Sequence, residues 1–103
     1  RALAFGRNDE WLAFGGKDGI VQVYTVDDGC LGRKLYELKM SGEINTLAFS
    51  IDSSQLAVGG YDQHVIIIDT AVWQVMRKLS QDAMTDSVLY DPTGKFLVVG
   101  SRD

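Results

Sequence analysis

Few residues in this chain have side chains suited to chemistry, and each has to be weighed against a purely structural use. His64 is the only histidine. It follows a turn at the start of a strand-like run, where a surface or rim position explains it more simply than a general base. Gly15-Gly16-Lys17-Asp18 has the look of a phosphate cradle. The phosphate-loop pattern needs a longer glycine spacing and Ser or Thr after the Lys, and both are missing. Asp27-Asp28-Gly29 hints at calcium, but one acidic pair falls short of the roughly six to eight oxygen ligands such a loop supplies. It is read as a solvated connection. Cys30, in that same connection, is the only cysteine, so no internal disulfide and no Cys/His zinc site can form. Trp11 and Trp73 are of the type that stacks on ligands. Trp11, however, aligns with Gln55 and Phe96 at a strand start, where packing against a neighbouring sheet accounts for it. The residues therefore predict no catalytic group, no metal site and no cofactor.

Composition narrows the partners. Of the 103 residues, 46% are apolar and 23% charged, with one proline, which suits a packed core rather than disorder. A formal net charge of −4 argues against nucleic-acid binding, which draws on Lys and Arg displacing counterions. The densest basic spots, Arg33-Lys34 and Arg77-Lys78, read as solvated strand ends. No apolar run approaches the roughly 20 residues of a bilayer span, so no membrane partner is expected. A single unpaired cysteine suits a reducing compartment, and a cytoplasmic location follows as the expectation, with nuclear or ciliary and cytoskeletal placements as variants.

What must position these residues is a repeat. Ala2-Leu3-Ala4-Phe5, five turn residues, then Trp11-Leu12-Ala13-Phe14-Gly15-Gly16-Lys17-Asp18 forms the first copy. Thr46-Leu47-Ala48-Phe49 and Gln55-Leu56-Ala57-Val58-Gly59-Gly60-Tyr61-Asp62 form the second. Ser87-Val88-Leu89-Tyr90 and Phe96-Leu97-Val98-Val99-Gly100-Ser101-Arg102-Asp103 form the third. Phe5, Phe49 and Tyr90 lie 44 and 41 residues apart, as do Asp18, Asp62 and Asp103. The three-residue difference falls between Thr25 and Leu38 and reads as an insertion in one loop, the place where stacked repeats accept it.

Each copy reads as short strands. The first unit, residues 1–40, has strands at about 1–5, 11–16, 20–26 and 34–40. The second, 44–80, has strands at about 44–50, 55–60, 64–69 and 74–79. Residues 85–103 supply half of a third. Runs such as Val65-Ile66-Ile67-Ile68 are apolar throughout and need cover on both faces. Sheets packed radially, each between two neighbours, provide it. A two-sheet sandwich, with one wet face per sheet, gives no reason for the period. The fold class is all-β: a β-propeller fragment of four-stranded antiparallel blades, two complete and a third begun. Propellers close with about four to eight blades. The chain is thus expected to be a piece of a longer polypeptide, whose ring would hold roughly 300 residues if it has about seven blades.

The Leu-Ala-Phe-like first strands, the Asp-Pro-x-Gly-Lys turn at Asp91–Lys95 and the string Leu56–Asp62 resemble the WD-repeat family over essentially the whole chain. The usual Trp-Asp end of the third strand is replaced by Tyr24-Thr25 and Ile68-Asp69, and no Gly-His pair precedes the first strands. The buried His–Ser/Thr–Trp network with the turn Asp cannot be assembled here. Asp18, Asp62 and Asp103 are accordingly read as turn residues, beside the small strand-end residues Gly15, Gly16, Gly59, Gly60 and Gly100. This fits a divergent subfamily.

The resemblance implies a non-catalytic protein–protein interaction scaffold, a subunit of a larger assembly with other proteins as partners. The candidate partner-binding rim consists of Lys17, Tyr61 and Arg102, just before the turn Asp, together with Asn45 and Asp86 (and Arg1) where first strands begin. These vary from copy to copy while the frame stays fixed, and Tyr and Arg are enriched at interface hot spots. Tyr24 in place of Trp and the form of Leu56–Asp62 look like the divergent repeats of microtubule-associated propellers, which gives a cytoskeletal or ciliary scaffold as a narrower alternative. An enzyme hosted on the propeller, with its site in other blades, is the alternative from another class.

Overall fold

The computed structural model describes residues 2–40, 42–60, 64–80, 87–90 and 96–99. Among them every regular element is a strand: β1 (Ala2–Gly6), β2 (Trp11–Gly15), β3 (Ile20–Asp27), β4 (Cys30–Lys39), β5 (Ile44–Phe49), β6 (Gln55–Gly60), β7 (His64–Asp69), β8 (Gln74–Ser80), β9 (Ser87–Tyr90) and β10 (Phe96–Val99). They form two four-stranded antiparallel sheets, β1-β2-β3-β4 and β5-β6-β7-β8, and a two-stranded pair, β9-β10. Sequential strands pair in order, so each sheet is a meander. Equivalent residues pair alike in the two four-stranded sheets, Phe5 with Leu12 in the first and Phe49 with Leu56 in the second, whereas in the two-stranded pair Tyr90 faces Phe96, one residue short of the equivalent Leu97.

The sheets stack, with β1 against β5 and β9 against β5 and β6. Strand alternation gives each blade a face of small residues and a face of large ones. Ala2, Ala13, Val21 and Val23 of the first blade meet Leu47, Leu56, Val58, Ile66 and Ile68 of the second in one buried cluster. Two glycines set how closely the blades approach. A Cβ on Gly6 would lie 2.7 Å from the Phe49 ring, and one on Gly15 would lie 3.0 Å from the Ile44 side chain. The intervening residues Ala57, Val65 and Ile67, at the positions equivalent to Ala13, Val21 and Val23, are also buried. That is why Val65–Ile68 is apolar without alternation. On the first blade the large-residue face, with Leu3, Phe5 and the stacked Phe14–Tyr24 pair (5.7 Å), has no sheet against it among the described residues. Leu3 is 67% exposed and Phe5 55%.

The loop insertion expected in the first blade is corrected by the structure. Residues 27–33 form no loop. β3 and β4 run eight and ten residues and share the two-residue turn Asp28-Gly29, whereas β7 and β8 run six and seven and are joined through Thr70–Trp73. Asp28 (φ 51°) and Gly29 (φ 79°) are both left-handed, as a type I′ hairpin requires. The extra residues lengthen the hairpin, and the register shifts between Val23 and Tyr24 and between Tyr24 and Val26 absorb the mismatch. Cys30 therefore opens a strand, exposed, and β4 begins at Cys30 rather than near residue 34.

Candidate functional site

Turns cluster at the two ends of the stacked blades. One end holds the β2–β3 turn and the start of β5. There the Gly16 carbonyl accepts from the Gly19 N–H (3.1 Å) and from the Ile44 N–H (2.9 Å), so the turn of one blade is tied to the first strand of the next. Asp18 Oδ1 accepts from the Ile20 N–H (3.2 Å), and Lys39 Nζ donates to the Asp18 carbonyl (3.1 Å). The Asp side chain thus supplies an acceptor to a backbone donor that the tight turn leaves open. Lys17 is exposed and Asn45 half-buried at this same end. A shallow cavity of about 760 Å³ lies beside Lys17, lined also by Leu3, Phe14 and Gln22 among others. In the second blade Gly59 and Gly60 are buried at the end of β6, and a Cβ on Gly60 would run into the Glu43 carbonyl. Tyr61, Asp62, Asp86, Gly100, Arg102, Asp103 and Arg1 lie outside the described residues, as does the Asp91–Lys95 turn. The structure thus places Lys17 and Asn45 at one end and leaves the other rim candidates undescribed.

The opposite end carries a site the sequence did not reveal. The β1–β2, β5–β6 and β7–β8 turns, with the paired ends of β3 and β4, surround a groove of about 720 Å³ between the two blades. Its floor is aromatic. Trp11 on β2 packs on Trp73 (5.2 Å between centroids) and on Phe49 (6.1 Å), and Tyr36 stacks on Trp73 (5.5 Å). Trp11 therefore does pack across the blade interface. Burial among these rings raises the Tyr36 phenol above its ordinary pKa. Trp73 reaches this place from a left-handed backbone conformation (φ 54°), which is unfavourable for a bulky side chain.

The walls are polar. Ser53, 9% exposed and itself left-handed (φ 61°), accepts at Oγ from the Arg7 N–H (2.6 Å), a clasp between blades 46 residues apart in sequence. Thr70 Oγ1 donates to the Ser53 carbonyl (2.6 Å) and fixes that turn from below. Asp52 accepts from the Ser54 N–H (3.0 Å) and from the Ser54 and Ser50 hydroxyls (2.7 and 2.9 Å). These donors, led by Ser54, hold its carboxyl below the usual carboxylate range. The Arg7 guanidinium stands 5.2 Å over the Trp11 ring and pairs with Glu10 at 3.6 Å. On the other wall Thr25 Oγ1 accepts from the Arg33 N–H (2.8 Å), with the Asp27 carboxylate beside it.

Neither end assembles a reactive constellation among the described residues. No group of three or more His, Cys, Asp or Glu residues is placed to hold a metal ion there. His64 is half-buried at the start of β7, paired in register with Ser80. Lys34 and Glu37 form an exposed pair (2.7 Å) on β4, which raises the Lys pKa and lowers that of the Glu. What the arrangement offers is contact surface: hydroxyls, charges and half-exposed rings on a rigid frame.

Arg7, Ser53 and Trp73 come together through stacking of blades, and no local pattern marks them. Asp27-Asp28-Gly29, read from sequence as a solvated connection, proves to hold the two-residue hairpin turn beside the groove.

Comparison with known proteins agrees with this geometry. The family model for the WD domain, G-beta repeat, matches residues 32–69, the span from β4 through β7. Among solved structures, the crystal structure of RRP9 WD40 repeats superposes with a TM-score of 0.75 over 94% of this chain at 16% identity. The chain spans 35% of the length of that structure.

Proposed function

We propose that this chain, which has the fold of propeller blades and matches the WD-repeat model over residues 32–69, is a segment of a larger WD-repeat propeller serving as a non-catalytic scaffold for protein–protein interaction. One observation supports this above others: Lys17, whose residue type differs from its counterparts in the other copies, rides on a turn whose backbone is locked by fixed hydrogen bonds at Gly16–Ile44 and Asp18–Ile20. A rigid frame with variable termini of this kind suits docking, because little ordering entropy is lost on contact. Leu3 and Phe5 occupy the positions of Leu47 and Phe49, which the first blade covers in the second, so a further blade supplies their cover in the complete ring. The single exposed Cys30 suits a reducing, cytoplasmic setting.

Size-exclusion of native extract tests the reading. The full-length protein is expected to elute well above its own mass with a discrete set of co-eluting proteins, and Lys17→Glu combined with Asn45→Arg is expected to remove part of that set without unfolding the ring. Elution at the mass of the ring alone, unchanged by the substitutions, refutes the scaffold role.

A further inference from the structure

The groove at the Trp11 end is framed by tight turns, of which the Asp28-Gly29 turn is left-handed by its hairpin type. Every described non-glycine residue with a left-handed backbone lies in the turns at this end: Arg7, Asn8, Asp9, Asp28, Ser53 and Trp73. Such conformations persist only where surrounding structure enforces them, and they gather at sites of use. The two indoles they frame are half-buried and open to a cavity large enough for several side chains.

The groove also already holds a guanidinium. Arg7 lies over the Trp11 face, and among the described residues its carboxylate partner is Glu10, an exposed pair with side chains 61% and 66% accessible. A pair so exposed is a weak tether. The charge count leaves room for a third cation. The lining carries the carboxylates of Glu10, Asp27 and Asp52 against the guanidiniums of Arg7 and Arg33.

We propose that this inter-blade groove is a docking site for a basic segment of a partner protein, one of whose arginines displaces Arg7 from the Trp11 face. The incoming guanidinium stacks on Trp11 beside Trp73, and Asp27 and Glu10, neighbours on the first blade, accept its N–H groups. A planar guanidinium gains both ring stacking and forked hydrogen bonds, so arginine is preferred over lysine. Arg33 lies on the wall beside Asp27 and sets an upper bound on how many cations the segment can bring.

The test uses the full-length protein and dye-labelled nonapeptides of alternating glycine with arginine, lysine or glutamate, read by fluorescence anisotropy at low salt. The arginine peptide is expected to bind at least about threefold more tightly than the lysine peptide, and the glutamate peptide not at all. Trp11→Leu is expected to weaken the arginine peptide about tenfold. Because Trp11 also packs between blades, Asp27→Asn, at an exposed carboxylate, gives an independent reading with a loss of about threefold. Arg7→Ala is expected to tighten binding about threefold by clearing the ring. The proposal is overturned if the arginine peptide fails to bind, if lysine or glutamate binds as well, if Asp27→Asn changes nothing, or if Arg7→Ala weakens binding. None of these outcomes touches co-elution of partners at the Lys17 end, so this site and the scaffold role can fail separately.

Discussion

Replacing Gly6 with alanine tests how tightly the blades are stacked. The new Cβ would sit 2.7, 2.7 and 2.9 Å from three ring carbons of Phe49, where favourable carbon–carbon contact begins near 3.5 Å. The ring must retreat by roughly 1 Å to restore that contact. Its retreat is limited, since Trp11 packs on it at 6.1 Å and Trp73 on Trp11 at 5.2 Å. Overpacking of this kind costs about 1–3 kcal/mol. Against it, alanine restricts the unfolded chain and returns about 0.4–1 kcal/mol. The net expectation is a loss of about 1–2 kcal/mol, measured as a lower urea midpoint at unchanged slope. The diagnostic step is a double-mutant cycle with Phe49→Leu. A smaller side chain leaves room for the Cβ, so the cost of Gly6→Ala should fall by at least about 1 kcal/mol in that background. An alanine variant as stable as its parent, or a cost identical in both backgrounds, refutes the claim that Gly6 sets the distance between blades.

Other substitutions address single features. Leu56→Ala empties a fully buried position in the inter-blade cluster and should cost about 2–5 kcal/mol, whereas Leu31→Ala on the exposed outer strand β4 should cost under about 0.5 kcal/mol, both by denaturant unfolding. Gly29→Ala meets no atom within 4 Å, so only its φ of 79° opposes it; a loss of about 1 kcal/mol is expected in thermal melts, with Gly29→Asn closer to neutral. The folded pKa of Asp52 lies below its unfolded value, so its stabilising effect is present above the ordinary carboxylate range and is lost as pH falls through the folded value. Ser54→Ala should bring the Asp52 titration, followed by carboxyl NMR shift, back up toward that range; an unchanged midpoint would show that Ser54 is not the main cause.

The frame of the fold was legible because its cause is local and repeated. The aromatic, Leu, Gly and Asp landmarks recur at one set of offsets, and the unbroken apolar run at Val65–Ile68 could only mean cover on both faces. The β5, β6 and β7 spans needed almost no adjustment. The β3–β4 hairpin was harder to read, because Asp28-Gly29 carries two meanings, a calcium-like acidic pair and a two-residue turn, and only pairing with β4 decides between them. The groove was not legible at all. Trp11 and Trp73 lie in different blades, and Ser53 meets Arg7 only after those blades have stacked at a particular distance and twist. Lys17 and Asn45 are an intermediate case. Each was visible from its place in the repeat, but the bond from Ile44 to the Gly16 carbonyl that brings their turns together crosses between blades.

The unequal faces of each blade have a consequence for ancestry. A side lined by alanine and glycine accepts one lined by leucine, phenylalanine and isoleucine, so like sides do not mate and growth has a single direction. A blade copied in tandem would arrive with both halves of its own junction already compatible with its neighbours. Gain or loss of a unit during evolution then leaves every contact in the row of the same kind, and the number of blades is set by how the circle closes rather than by any one junction.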